Sequence, residues 1–125
     1  MFIYTNPNPL NKIISDCVVR AIAIATSTTW ERAYIDLCKQ GLSMLDLPNA
    51  NPVWGAYLKK HGFKREIIPN TCPDCYTIED FCYDHPEGTY VLGTGGHCVT
   101  VMDGNIYDTW DSSNEIPVYY FYKEE

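Results

Sequence analysis

Apolar residues recur at helical spacing over the first half of the chain and alternate as in strands over the second. The run Cys17-Val18-Val19-Arg20-Ala21-Ile22-Ala23-Ile24-Ala25 is almost unbroken. It predicts a helix capped by Ser15 or Asp16 and ending near Ala25. Arg20 is its one charge after Asp16, so the helix should be buried on most sides. Trp30, Ala33, Tyr34, Leu37 and Cys38 fall on one face of a second helix. Thr28 and Glu31 have the separation of a capping box, and Gly41 is the expected stop. A third helix is expected from Pro52 to His61, with Asn51 as cap, Gly62 as terminator and Val53, Trp54, Tyr57 and Leu58 facing inward.

The other segments read mainly as strands. Phe2–Tyr4 is a short one, followed by the turn-rich Asn6-Pro7-Asn8-Pro9. Further strands are expected at 65–68, 89–92 and 118–122, with a short helix at 77–85. Residues 97–102 and 105–110 form a hairpin about Asp103-Gly104, a dipeptide suited to a two-residue turn. Helices first and strands second predict an α+β fold, N-terminal helices packed on a C-terminal antiparallel sheet, in a single domain over 1–125.

Composition narrows the function classes. With 46% hydrophobic and 20% charged residues among 125, the chain is of globular type and long enough to bury a core without staples. The net charge is -7 with nine Lys and Arg, and no basic patch stands out, which argues against nucleic-acid binding. No segment is long and apolar enough for a membrane span, and Met1–Pro7 lacks the pattern of a signal peptide. A cytoplasmic location is therefore expected. The six cysteines then read as thiols, ligands or a nucleophile rather than a disulfide framework.

Cys17, His97 and Asp108 form the main candidate site. A cysteine in an apolar helix is ordinarily a small core residue. Here the thiol stands at the helix start, where the macrodipole favours the thiolate. With a two-residue turn at Asp103-Gly104, Val99 pairs with Asp108. His97, Val99 and Val101 then share a face with Ile106, Asp108 and Trp110. A carboxylate so placed can orient the imidazole and fix its tautomer. Trp110 is positioned either to shield that pair from water or to join the core.

These residues resemble the papain-like cysteine peptidase superfamily, above all the bacteriocin-processing (double-glycine) peptidases. The resemblance rests on Asp16-Cys17, Gly96-His97 and Tyr107-Asp108. It implies a papain-like fold, a Cys17–His97–Asp108 triad that needs no cofactor, and a peptide or protein substrate. The family places a Gln six residues before the Cys, whose amide helps form the oxyanion hole. Asn11 holds that position here, with a shorter side chain that donates the same hydrogen bond. Val18 stands where the family usually has Gly. The chain as a whole is also similar to small uncharacterised proteins of phages and Gram-positive bacteria, through Asp16-Cys17-Val18-Val19-Arg20-Ala21-Ile22 and Tyr107-Asp108-Thr109-Trp110-Asp111.

A second constellation competes. Cys72, Cys75, Cys82 and His85 read as C-x2-C-x6-C-x2-H, a spacing compatible with a structural zinc. The alternative is that Ile78, Phe81, Cys82 and His85 are the buried stripe of the short helix, with Cys72 and Cys75 as loop thiols. Gly93-Thr94-Gly95-Gly96 precedes a strand rather than a helix, so it suits backbone clearance beside His97 better than phosphate binding. Three functions follow as expectations: thiol-dependent hydrolysis or acyl transfer on a peptide or isopeptide bond; a catalytically silent protein-binding module on the same scaffold, such as a phage modulator of a host protein; or a zinc-stapled interaction domain. The acidity of the chain suits a basic partner for the silent module.

Overall fold

A computed structural model describes residues 1–123. The elements in order are β1 (Phe2–Tyr4), α1 (Cys17–Ala25), α2 (Trp30–Met44), α3 (Asn51–Lys60), β2 (Phe63–Ile67), α4 (Ile78–Asp84), β3 (Thr89–Gly93), β4 (Cys98–Met102), β5 (Asn105–Asp108) and β6 (Tyr119–Lys123). The α+β class expected from the sequence is present. The sheet departs from expectation in two ways. It is mixed, because β1 runs parallel to β5 with Phe2 opposite Ile106. It also takes in β1 from ahead of the helices, in the order β1-β5-β4-β3-β6-β2.

Alternation along the central strands buries both faces of the sheet. Val91, Cys98 and Phe121 point to α1 and α3, where they join Ala21, Ile22, Trp54 and Leu58. Leu92, Val99, Val101 and Ile106 point the other way, onto Ile78 and Phe81 of α4. Thr100 is a polar residue in the first set, and its hydroxyl donates to the Ala21 carbonyl at 2.7 Å. Strand pairs of this kind, buried on both faces, are the usual way to form a core between helical layers.

Local chemistry explains the shifts in element boundaries. The second helix is capped by Thr29 rather than Thr28, its hydroxyl accepting from the Arg32 N–H. Gly41 does not stop that helix. The chain folds back over it, and a Cβ there would lie 2.8 Å from the Asp46 carbonyl oxygen. The stop is Leu45, in the left-handed region at φ 54°. Ala50, not Asn51, occupies the cap position of α3, because the Asn51 amide oxygen is taken by the Trp54 indole. Thr77 and Asp80 form a reciprocal capping box on α4. The β4–β5 turn has Asp103 at φ 50° and Gly104 at φ 77°, the twist a two-residue hairpin needs. Among the described residues no helix is long and apolar enough to cross a membrane.

Candidate active site

The hairpin sets the geometry. Its ladder runs from Met102 opposite Asn105 to Thr100 opposite Tyr107, the expected register, and ends just short of Val99 and Asp108. His97 and Asp108 therefore stand where the pleat finishes. They share parity with residues that face α4, yet their side chains reach the start of α1 at the end of the sheet. His97 Nε2 donates to Asp108 Oδ2 at 2.6 Å. The other ring nitrogen is left for Cys17, whose thiol is close enough for each group to shift the pKa of the other. The structure thus brings together three side chains from α1, the segment before β4 and the end of β5.

Cys17 is the first residue of α1 and is half-buried. The first intrahelical bond is Arg20 N–H to the Asp16 carbonyl at 2.9 Å. The N–H groups of Cys17, Val18 and Val19 accordingly lie in the turn that has no helical acceptor. The Cys98 backbone N–H is a further group that favours the thiolate. Burial pushes the Cys17 thiol up, but the His97 hydrogen bond and charge, this N–H and the Arg20 charge outweigh it, so the thiol lies below its ordinary value of 9.0. Burial likewise pulls His97 down. Its hydrogen bonds to Asp108 and Cys17 win, and its pKa rises from 6.5 to about 9. Near neutral pH both shifts favour a thiolate beside an imidazolium.

The carboxylate of Asp108 is buried and fully satisfied. Oδ1 accepts from Arg20 Nη2 at 3.2 Å and from the Thr109 N–H at 2.8 Å. Oδ2 accepts from His97 and from the Ser112 hydroxyl at 2.8 Å. Burial alone would raise this group; the hydrogen bonds from His97 and Ser112 leave it below its ordinary value. Arg20 is itself buried and bridges Asp108 to Asp16. Asp16 in turn accepts from the Trp30 indole at 2.9 Å. Asp16 occupies the cap position of α1, but its carboxylate serves Arg20 and Trp30 instead of capping the helix. The Trp110 ring packs on the imidazole with centroids 4.8 Å apart and remains 44% exposed, so it covers one side of His97 while staying out of the core.

Arg20 and Ser112 were not picked out as site residues by the sequence. For Arg20 a signal existed: a lone guanidinium in an apolar helix requires a buried partner, and Asp16 stands four residues before it. Ser112 carries no such signal. Asn11 is exposed on the preceding loop at φ 53°, and its side-chain amide makes no hydrogen bond to a described residue. The buried asparagine of that loop is Asn8, whose side-chain oxygen accepts from the Leu10 and Lys12 N–H groups.

No family model, no curated protein and no solved structure matches the chain.

The second constellation is not gathered. Cys72 and Cys75 are joined to each other by a disulfide. Cys82 is turned into the core against the sheet, where burial raises its thiol above the ordinary value. His85 Nδ1 is bonded to the Phe81 carbonyl at 3.0 Å and the ring stacks on Phe81 at 3.8 Å. Among the described residues no group of three or more His, Cys, Asp or Glu side chains is placed to hold a metal ion. Of the expected stripe Ile78, Phe81, Cys82 and His85, the first three are buried and His85, just past the helix end, is half-buried.

Proposed function

We propose that the chain is a cysteine-nucleophile hydrolase or acyl transferase, acting on a peptide or isopeptide bond and organised like the papain-like enzymes. The observation that carries this reading is the chain of contacts from Cys17 through His97 to a carboxylate clamped by Arg20 and Ser112. A core thiol needs no imidazole, and a structural imidazole needs no buried carboxylate held by four donors.

The chemistry follows from the geometry. The Cys17 thiolate attacks the carbonyl carbon and the C–O π electrons move to oxygen. Helix-start N–H groups, with that of Cys17 nearest the nucleophile, stabilise the oxyanion; the Asn11 amide is the second donor that the family resemblance implies. The imidazolium of His97 gives its proton to the leaving amine as the C–N bond breaks, leaving a Cys17 thioester. Water, or a second amine, then attacks the thioester. His97 accepts its proton, the C–S bond breaks and the thiolate returns. Asp108 holds the ring so that one nitrogen faces the sulfur throughout.

The test is acylation by a simple activated ester. With p-nitrophenyl acetate the protein should release a burst of about one equivalent of p-nitrophenol and carry an acetyl group on Cys17, seen by mass spectrometry. Cys17→Ala should lose both. A protein without burst or adduct at Cys17 contradicts the proposal and favours the silent binding module.

A further inference from the structure

The row of residues across the sheet beside Cys17 leads to a cavity. Cys98, whose backbone N–H helps lower the Cys17 thiol, is opposite Gly93 on β3, and Gly93 is opposite Tyr119 on β6. The Tyr119 ring lies across Gly93 so closely that a Cβ there would stand 2.4 Å from its Cζ. The same residue lines a cavity of about 430 Å³ between α3, β2 and β6. Gly55 and Ala56 keep the α3 side shallow, and Phe121 closes the sheet side. Even one methyl at Gly55 would sit 3.2 Å from the Phe121 ring. Two strand spacings, about 10 Å, separate the backbones of Cys98 and Tyr119, so the Tyr119 edge of the cavity lies about that far from the site along the sheet.

Two cations line this mostly apolar space, whose other polar side chains are Asn51 and Tyr119. Arg65 lies over the Tyr119 ring, 4.5 Å from its centroid, and Lys59 stands on the α3 side. Neither has a carboxylate at ion-pair distance among the described residues. In a chain of net charge -7 with only nine Lys and Arg, two cations in one cavity without an ion-pair partner among the described residues are a local reversal of sign. A planar guanidinium on an aromatic face, with its edge free, suits a carboxylate.

We infer that the substrate of this site carries a carboxylate, which Arg65 and Lys59 receive while the carbonyl about 10 Å away meets Cys17. The inference rests on the acyl-transfer reading above and specifies its substrate class: an acyl donor whose acidic side chain or terminal carboxylate lies two to three residues from the bond attacked.

A pair of affinity labels tests it. The iodoacetamide of aminohexanoic acid spans about 10 Å when extended, and its carboxamide is the neutral isostere. Alkylation of Cys17 is followed by mass spectrometry with both, beside plain iodoacetamide. The acid should modify Cys17 at least about threefold faster than the carboxamide, against the repulsion of the net charge, and added salt should reduce the ratio. The ratio should fall to one or below in the Arg65→Gln, Lys59→Gln double variant and persist in Arg65→Lys. A wild-type ratio of one, or a ratio that the double variant leaves unchanged, overturns the inference. If plain iodoacetamide modifies wild-type Cys17 no faster than Cys38, the acyl-transfer reading has failed instead.

Discussion

Cys17 with His97 and Cys82 with His85 are two thiol–imidazole pairs in one molecule, and they differ in what holds the imidazole. The second pair is three residues apart on one short element, the first is assembled from segments eighty residues apart. Proximity in sequence puts Cys82 into the core and leaves His85 bonded to its own helix and stacked on Phe81. His97 is instead fixed by Asp108, and Asp108 by Arg20, Ser112 and Thr109. The thiols respond oppositely: Cys82 is raised by burial, while Cys17, also partly buried, is lowered by its partner. A reactive thiol therefore depends less on a nearby histidine than on the groups that aim it.

The largest effect should come from removing what the second pair lacks. Arg20→Ala leaves Asp16 and Asp108 buried without their shared cation, and breaking a buried pair costs about 3–5 kcal/mol. Urea unfolding should show that loss, and Arg20→Lys should recover part of it. A loss below about 1 kcal/mol would place Arg20 among ordinary surface pairs. Next, Cys17 should react with iodoacetamide about a hundredfold faster than Cys82 at pH 7, since an ordinary thiol is only a few per cent thiolate there. Equal rates would erase the contrast. The smallest effect concerns stability against pH. His97 is raised from 6.5 to about 9, so its stabilisation is complete below 6.5 and is lost as pH rises through 9. The difference in melting temperature between wild type and His97→Ala should shrink over that window. A difference that stays flat from 6.5 to 9 would mean that His97 gains no proton affinity on folding.

The hairpin was the most legible part of the site. Asp103-Gly104 fixes a two-residue turn, the turn fixes the register, and the register puts His97 in step with Asp108. Cys17 was legible as a helix start. The partners of Asp108 were not, because Arg20 reaches it across 88 residues and a loop serine has no periodicity to betray it. The parallel pairing of β1 escaped for a similar reason. Three residues carry no directional signal, and β1 reads equally well as an antiparallel edge. At α4 the spacing of Cys82 and His85 matched a ligand pair, but a seven-residue helix against the sheet must spend its inward positions on the core.

The central claim is that Cys17 is held as a thiolate by an imidazole that Asp108 aims. The pH profile of Cys17 alkylation tests it most directly, measured in wild type, His97→Ala and Asp108→Asn. In wild type the rate should stay high down to pH values where a thiol of pKa 9.0 would slow about tenfold per unit. His97→Ala should move the midpoint up to the ordinary value or above it, since the burial remains. Asp108→Asn should move it by less, the Cys17–His97 contact persisting with a less firmly held ring. One profile shared by all three proteins would show that the thiol does not sense the imidazole, and the account of the site would fail.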